Sequence, residues 1–123
     1  MPLPFSVTVR SGRPVQEQVV FAVTRAIVRG QLRAGDDFPS VRLLSQELGI
    51  NPNTAQKIVS ALVEQGLLET RPGIGTSVAD WRPRATPAKR ASISARIERL
   101  VVQAKEAGLD LPALLDAIRR EWK

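Results

Sequence analysis

The 123-residue sequence predicts a mainly α-helical fold with one small β-hairpin, and three observations carry that prediction. Apolar residues recur at helical spacing in several separate runs. A glycine closes each of the first three runs (Gly30, Gly49, Gly66), as expected of helices that end in a left-handed residue. Between the third run and the C-terminal part, LLETRPGIGTSV places two short apolar strands around the turn Arg71-Pro72-Gly73-Ile74-Gly75.

The elements follow in order. Phe5, Val7 and Val9 alternate with Ser6, Thr8 and Arg10, a two-residue period that predicts a short half-buried strand or an extended arm ending at Ser11-Gly12. From Pro14 to Arg29, Val15, Val19, Ala22, Val23, Ala26 and Ile27 form one helical face, with proline in the first turn. After the turn signal Ala34-Gly35-Asp36-Asp37, Ser40 can cap the helix SVRLLSQEL, whose core face is Val41, Leu44 and Leu48.

The third helix opens at Asn51-Pro52-Asn53. Asn51 can accept a hydrogen bond from an orphan amide of the first turn, and Pro52 occupies a position where a missing amide costs nothing. At 3.6 residues per turn, Ala55, Ile58, Val59, Leu62 and Val63 share one side, and Asn53, Gln56, Lys57 and Ser60 share the other. Beyond Trp81, RPRATPAKR lies within a basic, Pro-containing linker or helix lead-in taken to span residues 81–91. Residues 92–123 then carry two amphipathic stripes. Ile93, Ile97, Leu100, Val101 and Ala104 make the first, Gly108 interrupts, and Leu111, Leu114, Leu115, Ile118 and Trp122 make the second.

Composition narrows the function classes. Hydrophobic content of 43% with only 4% aromatic residues implies a core built from Val, Leu, Ile and Ala. Eighteen Lys and Arg against twelve Asp and Glu give a net charge of +6, which points to an anionic partner. His, Cys and Tyr are absent, so disulfides, thiolate chemistry and the common nucleophile–base pairs are excluded, and no cofactor or metal is expected. No phosphate-binding loop, dinucleotide fingerprint or HExxH motif is present, so the chain is not expected to be an enzyme. No apolar run reaches the length of a membrane-spanning helix, and MPLPFSVTVR has neither the basic start nor the apolar stretch of a signal peptide; the expected location is the cytoplasm, with no membrane partner.

Two helices joined by a tight Gly49-containing turn and followed by a hairpin match the winged helix-turn-helix plan, taken to span residues 1–80. In that plan the second helix of the pair enters the major groove of DNA, where Asn and Gln can pair with adenine edges and a lysine can reach guanine or phosphate. Asn53, Gln56 and Lys57 are the candidate readers; taken alone, polar residues on an exposed helical face are usually just solvated, and it is their shared face that singles these out. Arg42, in the first turn of the preceding helix, can reach base or backbone, or lie over the core surface. Arg71, Gly73 and Gly75 suit a wing tip entering a minor groove, and equally an ordinary glycine-containing hairpin. Arg82, Arg84, Lys89, Arg90, Arg96 and Arg99, against Glu98 alone, concentrate charge near the linker, either along a DNA backbone or on a solvated face.

These motifs also resemble a known family. LRAGDDFPSVRLLSQELGINPNTAQKIVSALVEQGLLETRPGIGTSV resembles the winged DNA-binding domain of GntR-type bacterial transcription regulators, with PSVR, NPNT and GIGT in the expected order from about Pro14 to Val78. The short remainder looks like that of the YtrA subfamily, whose helical tail serves dimerisation. The resemblance implies DNA contacts for Ser40, Arg42, Asn51, Asn53, Thr54, Gln56 and Lys57, with Gly73 and Gly75 in the wing. Pro52 stands where relatives in other branches carry a base-reading arginine, so base preferences do not transfer from those branches. The resemblance further implies a repressor of transporter genes, released by a small molecule or by envelope stress.

Two short amphipathic helices cannot cover both of their stripes with each other, so Ile97, Leu100, Val101, Leu111, Leu114, Leu115, Ile118 and Trp122 are expected to pack on a second subunit, the alternative being the winged domain itself. The expectation is therefore a homodimeric regulator of double-stranded operator DNA with a pseudo-palindromic site. A helical protein-interaction module with non-specific nucleic-acid affinity is the alternative. RNA binding is disfavoured because three Phe, two Trp and no Tyr offer few stacking platforms.

Overall fold

The computed structural model describes residues 3–123. Helix α1 spans Val15–Val28, strand β1 Asp37–Phe38, α2 Val41–Leu48, α3 Pro52–Glu64, β2 Leu68–Arg71, β3 Gly75–Val78, α4 Pro87–Glu106 and α5 Leu111–Glu121. The chain divides into two compact units, one ending at Arg82 and one spanning Pro83–Lys123.

In the first unit the predicted helical faces become the core. Val19, Ala22, Val23, Ala26 and Ile27 of α1 are buried with Leu44 of α2 and with Ala55, Ile58, Val59 and Leu62 of α3. Val41 and Leu48 pack against this cluster while partly exposed. The sheet closes it: Leu68 pairs with Val78 at the inner end of the β2–β3 ladder, and both are buried. Largely aliphatic side chains fill the interior; the buried aromatics are a stacked pair, Phe5 on Phe38, with ring centroids 5.9 Å apart, and Trp81 packs against the cluster while partly exposed.

Two features differ from the sequence expectation. The sheet has three antiparallel strands in the order β1-β3-β2, because Asp37 and Phe38 pair with Ser77 and Thr76. The Gly35-Asp36 turn brings them there: the Gly35 amide donates to the Val78 carbonyl, and the Val78 amide donates to that of Asp36, each at 2.8 Å. Second, the alternation from Phe5 to Val9 does not become a strand. Phe5 is buried and Val7 half-buried, but Val9 is exposed, and the segment is held without a ladder. Its far end is fixed by Gln18, which accepts from the Arg10 amide and donates to the Arg10 carbonyl, both at 2.8 Å.

The second unit is two helices joined at Gly108. Helix α4 starts at Pro87 rather than at residue 92, because Thr86 caps it by accepting from the Lys89 amide at 3.2 Å. Asp110 caps α5 by accepting from the Ala113 amide at 3.0 Å. Ala104 is the buried apolar residue of α4, and α5 buries none.

Candidate nucleic-acid interface

The local chemistry of the α2–turn–α3 segment sets its geometry. Ser40 accepts from the Leu43 amide at 3.1 Å and starts α2. Gly49 ends it at φ 64°, ψ 38°, a left-handed conformation that costs a residue with a Cβ about 1 kcal/mol or more. The Ile50 amide then bonds back to the Ser45 carbonyl at 3.0 Å, so the chain turns within two residues and re-enters a helix at Asn51. Asn51 Oδ1 accepts from the Asn53 amide at 2.8 Å, as its position before Pro52 predicts.

Because Ala55, Ile58, Val59 and Leu62 are buried, the opposite side of α3 faces solvent, and Asn53, Gln56, Lys57 and Ser60 are all exposed. Gln56 Nε2 donates to Ser60 Oγ at 3.1 Å, which steadies the amide along the helix and leaves Oε1 and a second N–H for a base edge. Among the described residues Lys57 and Arg42 form no ion pair, so both cations are available to an anionic partner. At the helix start, Pro52 has no amide and the Asn53 amide is capped, which leaves the Thr54 amide as a donor for a phosphate oxygen. The Thr54 side chain itself is half-buried.

The sequence-derived residues thus fall into groups. Ser40 and Arg42 lie at the start of α2; Asn51, Asn53 and Thr54 at the start of α3; Gln56 and Lys57 one turn further on, along the exposed side. Arg71, Gly73 and Gly75 lie apart from these, at the outer end of the β2–β3 ladder, where Arg71 pairs with Gly75 and donates to Glu69 at 3.3 Å. Sequence reasoning placed Ile74 in the turn but assigned it no role; an apolar residue between two turn glycines was the signal that it stands out from the surface.

Three core-packed helices, a tight left-handed turn before the third, and a hairpin beyond it define a winged helix-turn-helix regulator of the DNA-binding class. Residues 15–78 match the profile of bacterial regulatory proteins, gntR family. The match covers more than half of the chain, and the protein belongs to the gntR family of DNA-binding transcription regulators.

The similarity extends past the winged unit. The chain is 31% identical over 111 residues to the HTH-type transcriptional repressor YtrA of Bacillus subtilis (strain 168), covering 89% of this chain and 85% of that protein. A crystal structure described as a transcriptional antiterminator from Listeria monocytogenes EGD-e superposes with a TM-score of 0.83 at 24% identity, covering 97% of this chain and 90% of that one, a likeness of fold. The DNA-binding domain of AraR, solved in complex with operator ORX1, matches with a TM-score of 0.54 at 29% identity over 60% of this chain and 95% of that one. Among the described residues no helix is long and apolar enough to cross a membrane.

Proposed function

We propose that this chain is a cytoplasmic, homodimeric repressor that binds a pseudo-palindromic operator and acts by occupying it, without catalysis. The carrying observation is the division of α3 into an apolar side that buries Ala55, Ile58, Val59 and Leu62 and an exposed side bearing Asn53, Gln56 and Lys57, with Arg42 exposed at the start of α2. In this reading Gln56 and Asn53 pair with base edges in the major groove. Lys57 and Arg42 contact bases or phosphates, and the Ser40 hydroxyl and the α3 N-terminus hold the backbone. Arg71, Gly73 and Gly75 bring the wing to the adjacent minor groove.

Dimerisation rests on a separate observation. The stripes of the second unit stand in solvent: Ile97, Leu100, Val101, Leu111, Leu115, Ile118 and Trp122 are exposed, and Leu114 is half-buried. Helices with this much uncovered apolar surface are completed by a second copy. Two-fold pairing then sets two reading helices one helical turn of DNA apart, or a multiple of it. The relative named as a repressor aligns with this chain over 111 residues, 89% of this chain's length, which supports the sign of regulation.

The test separates reading from assembly. Arg42→Ala lowers operator affinity and Gln56→Ala relaxes the base preference, and both variants sediment as dimers. Variants that lose dimerisation while their DNA affinity is unchanged would instead favour a protein-interaction module.

A further inference from the structure

The wing tip carries a residue that the turn itself does not require. Arg71 to Ile74 form a type II turn: Pro72 fixes its second position, Gly73 takes φ 75° at the third, and the Ile74 amide donates to the Arg71 carbonyl at 3.0 Å. Any residue except proline can supply that amide, and polar residues are the usual choice in turns. Yet Ile74 is a β-branched apolar side chain, 81% exposed, with glycine on either side. The ladder stops at Arg71–Gly75, so the Ile74 side chain stands between two glycines at the tip, with the exposed Pro72 ring as the other apolar group of the turn.

A lone branched side chain standing out from a turn suits the minor groove of B-DNA, which is about 6 Å wide and walled by deoxyribose. The groove floor differs between base pairs in one respect. A·T pairs show only acceptors there, whereas G·C adds the guanine N2 amino group. Isoleucine has no acceptor to offer that amino group once water is displaced, and leaving a polar group unpaired costs affinity. Proteins that enter the minor groove do present apolar side chains to the bases, isoleucine included, most often as wedges between base steps.

We propose that Ile74 is a specificity-determining residue that selects A·T at the base pair beneath the wing by rejecting the exocyclic amino group of guanine. This rests on the reading of the chain as a duplex-DNA binder with its wing in the minor groove.

The test uses the full chain and its selected operator, changing only the base pair under the wing. Inosine·C removes the amino group while keeping the guanine-like major-groove acceptors, and diaminopurine·T adds the group to an adenine-like pair. By fluorescence anisotropy, the unaltered protein binds A·T and inosine·C alike, and G·C and diaminopurine·T about fivefold more weakly. Ile74→Ser erases that difference and keeps the preference at the Gln56-read positions. Specific binding that ignores the amino group, or an amino-group preference that persists in Ile74→Ser, overturns the proposal and leaves DNA reading standing. Failure to bind any duplex overturns both.

Discussion

Asn51 allows the structural and DNA-contacting roles of the α3 N-terminus to be measured separately. Its Oδ1 accepts the Asn53 amide at 2.8 Å from an exposed position, so the bond competes with water and its removal in Asn51→Ala costs about 1 kcal/mol. For a unit of this size that is a fall in Tm of roughly 4–8 °C. Asn51→Asp keeps an acceptor at the same place and adds a negative charge at the positive end of α3, a gain of about 0.5 kcal/mol, so its Tm holds or rises slightly. DNA sees the reverse. A carboxylate about 4 Å from a phosphate is repelled by roughly 1 kcal/mol even at the dielectric of water, a weakening of about fivefold for each half-site. Thermal denaturation by circular dichroism gives the first pair of values and fluorescence anisotropy on the operator the second. An Asp variant that binds DNA as well as the unaltered protein would refute the placement of this helix end against the phosphates, and an Ala variant with unchanged Tm would refute the cap.

Other expectations follow from the same structure. Leu62 is fully buried between α3 and its neighbours, so Leu62→Ala costs about 3 kcal/mol and lowers Tm by roughly 12–24 °C; a shift of a few degrees would mean the core collapses around the gap. Leu115→Glu, placed in the exposed stripe of α5, yields monomers with weakened operator affinity in sedimentation and binding assays, and a persistent dimer would remove the tail from the interface. Neutralising Arg84 weakens all sequences alike and lowers the salt slope of log K by about 0.9 for each phosphate that it no longer neutralises. Arg82, already 3.5 Å from Asp80, changes the slope less, and a base-dependent effect from either would show that it reads sequence.

What was legible in the sequence was what is local. Asn51 before Pro52, Ser40 before Val41 and Gly49 after Leu48 announce helix ends because capping is decided within three residues, and each occupies the position its chemistry predicts. The exposed side of α3 was legible because burial of Ala55, Ile58, Val59 and Leu62 fixes its opposite by helical geometry. Strand β1 was not, since two residues show no period and Asp37 and Phe38 are extended only because Ser77 and Thr76, distant in sequence, pair with them. The alternation of Phe5, Val7 and Val9 misled for the complementary reason: side chains can alternate along an arm that has no neighbouring strand to complete a ladder. The early start of α4 was written in Thr86-Pro87, a capping residue before a first-turn proline, but the basic Pro-containing stretch around it read as linker. Ile74 lay outside what periodicity can assign, because its exposure is set by a turn and not by a helix or strand face.

That this chain reads a two-fold DNA site through α3 is tested most directly by selecting bound duplexes from a random pool at near-physiological salt, with the full chain. The expected result is enrichment of an inverted repeat whose half-sites keep a fixed spacing of about one helical turn or a multiple of it. Retention of DNA without enrichment of any sequence would contradict two-fold reading, leaving the net charge of +6 as the whole basis of binding.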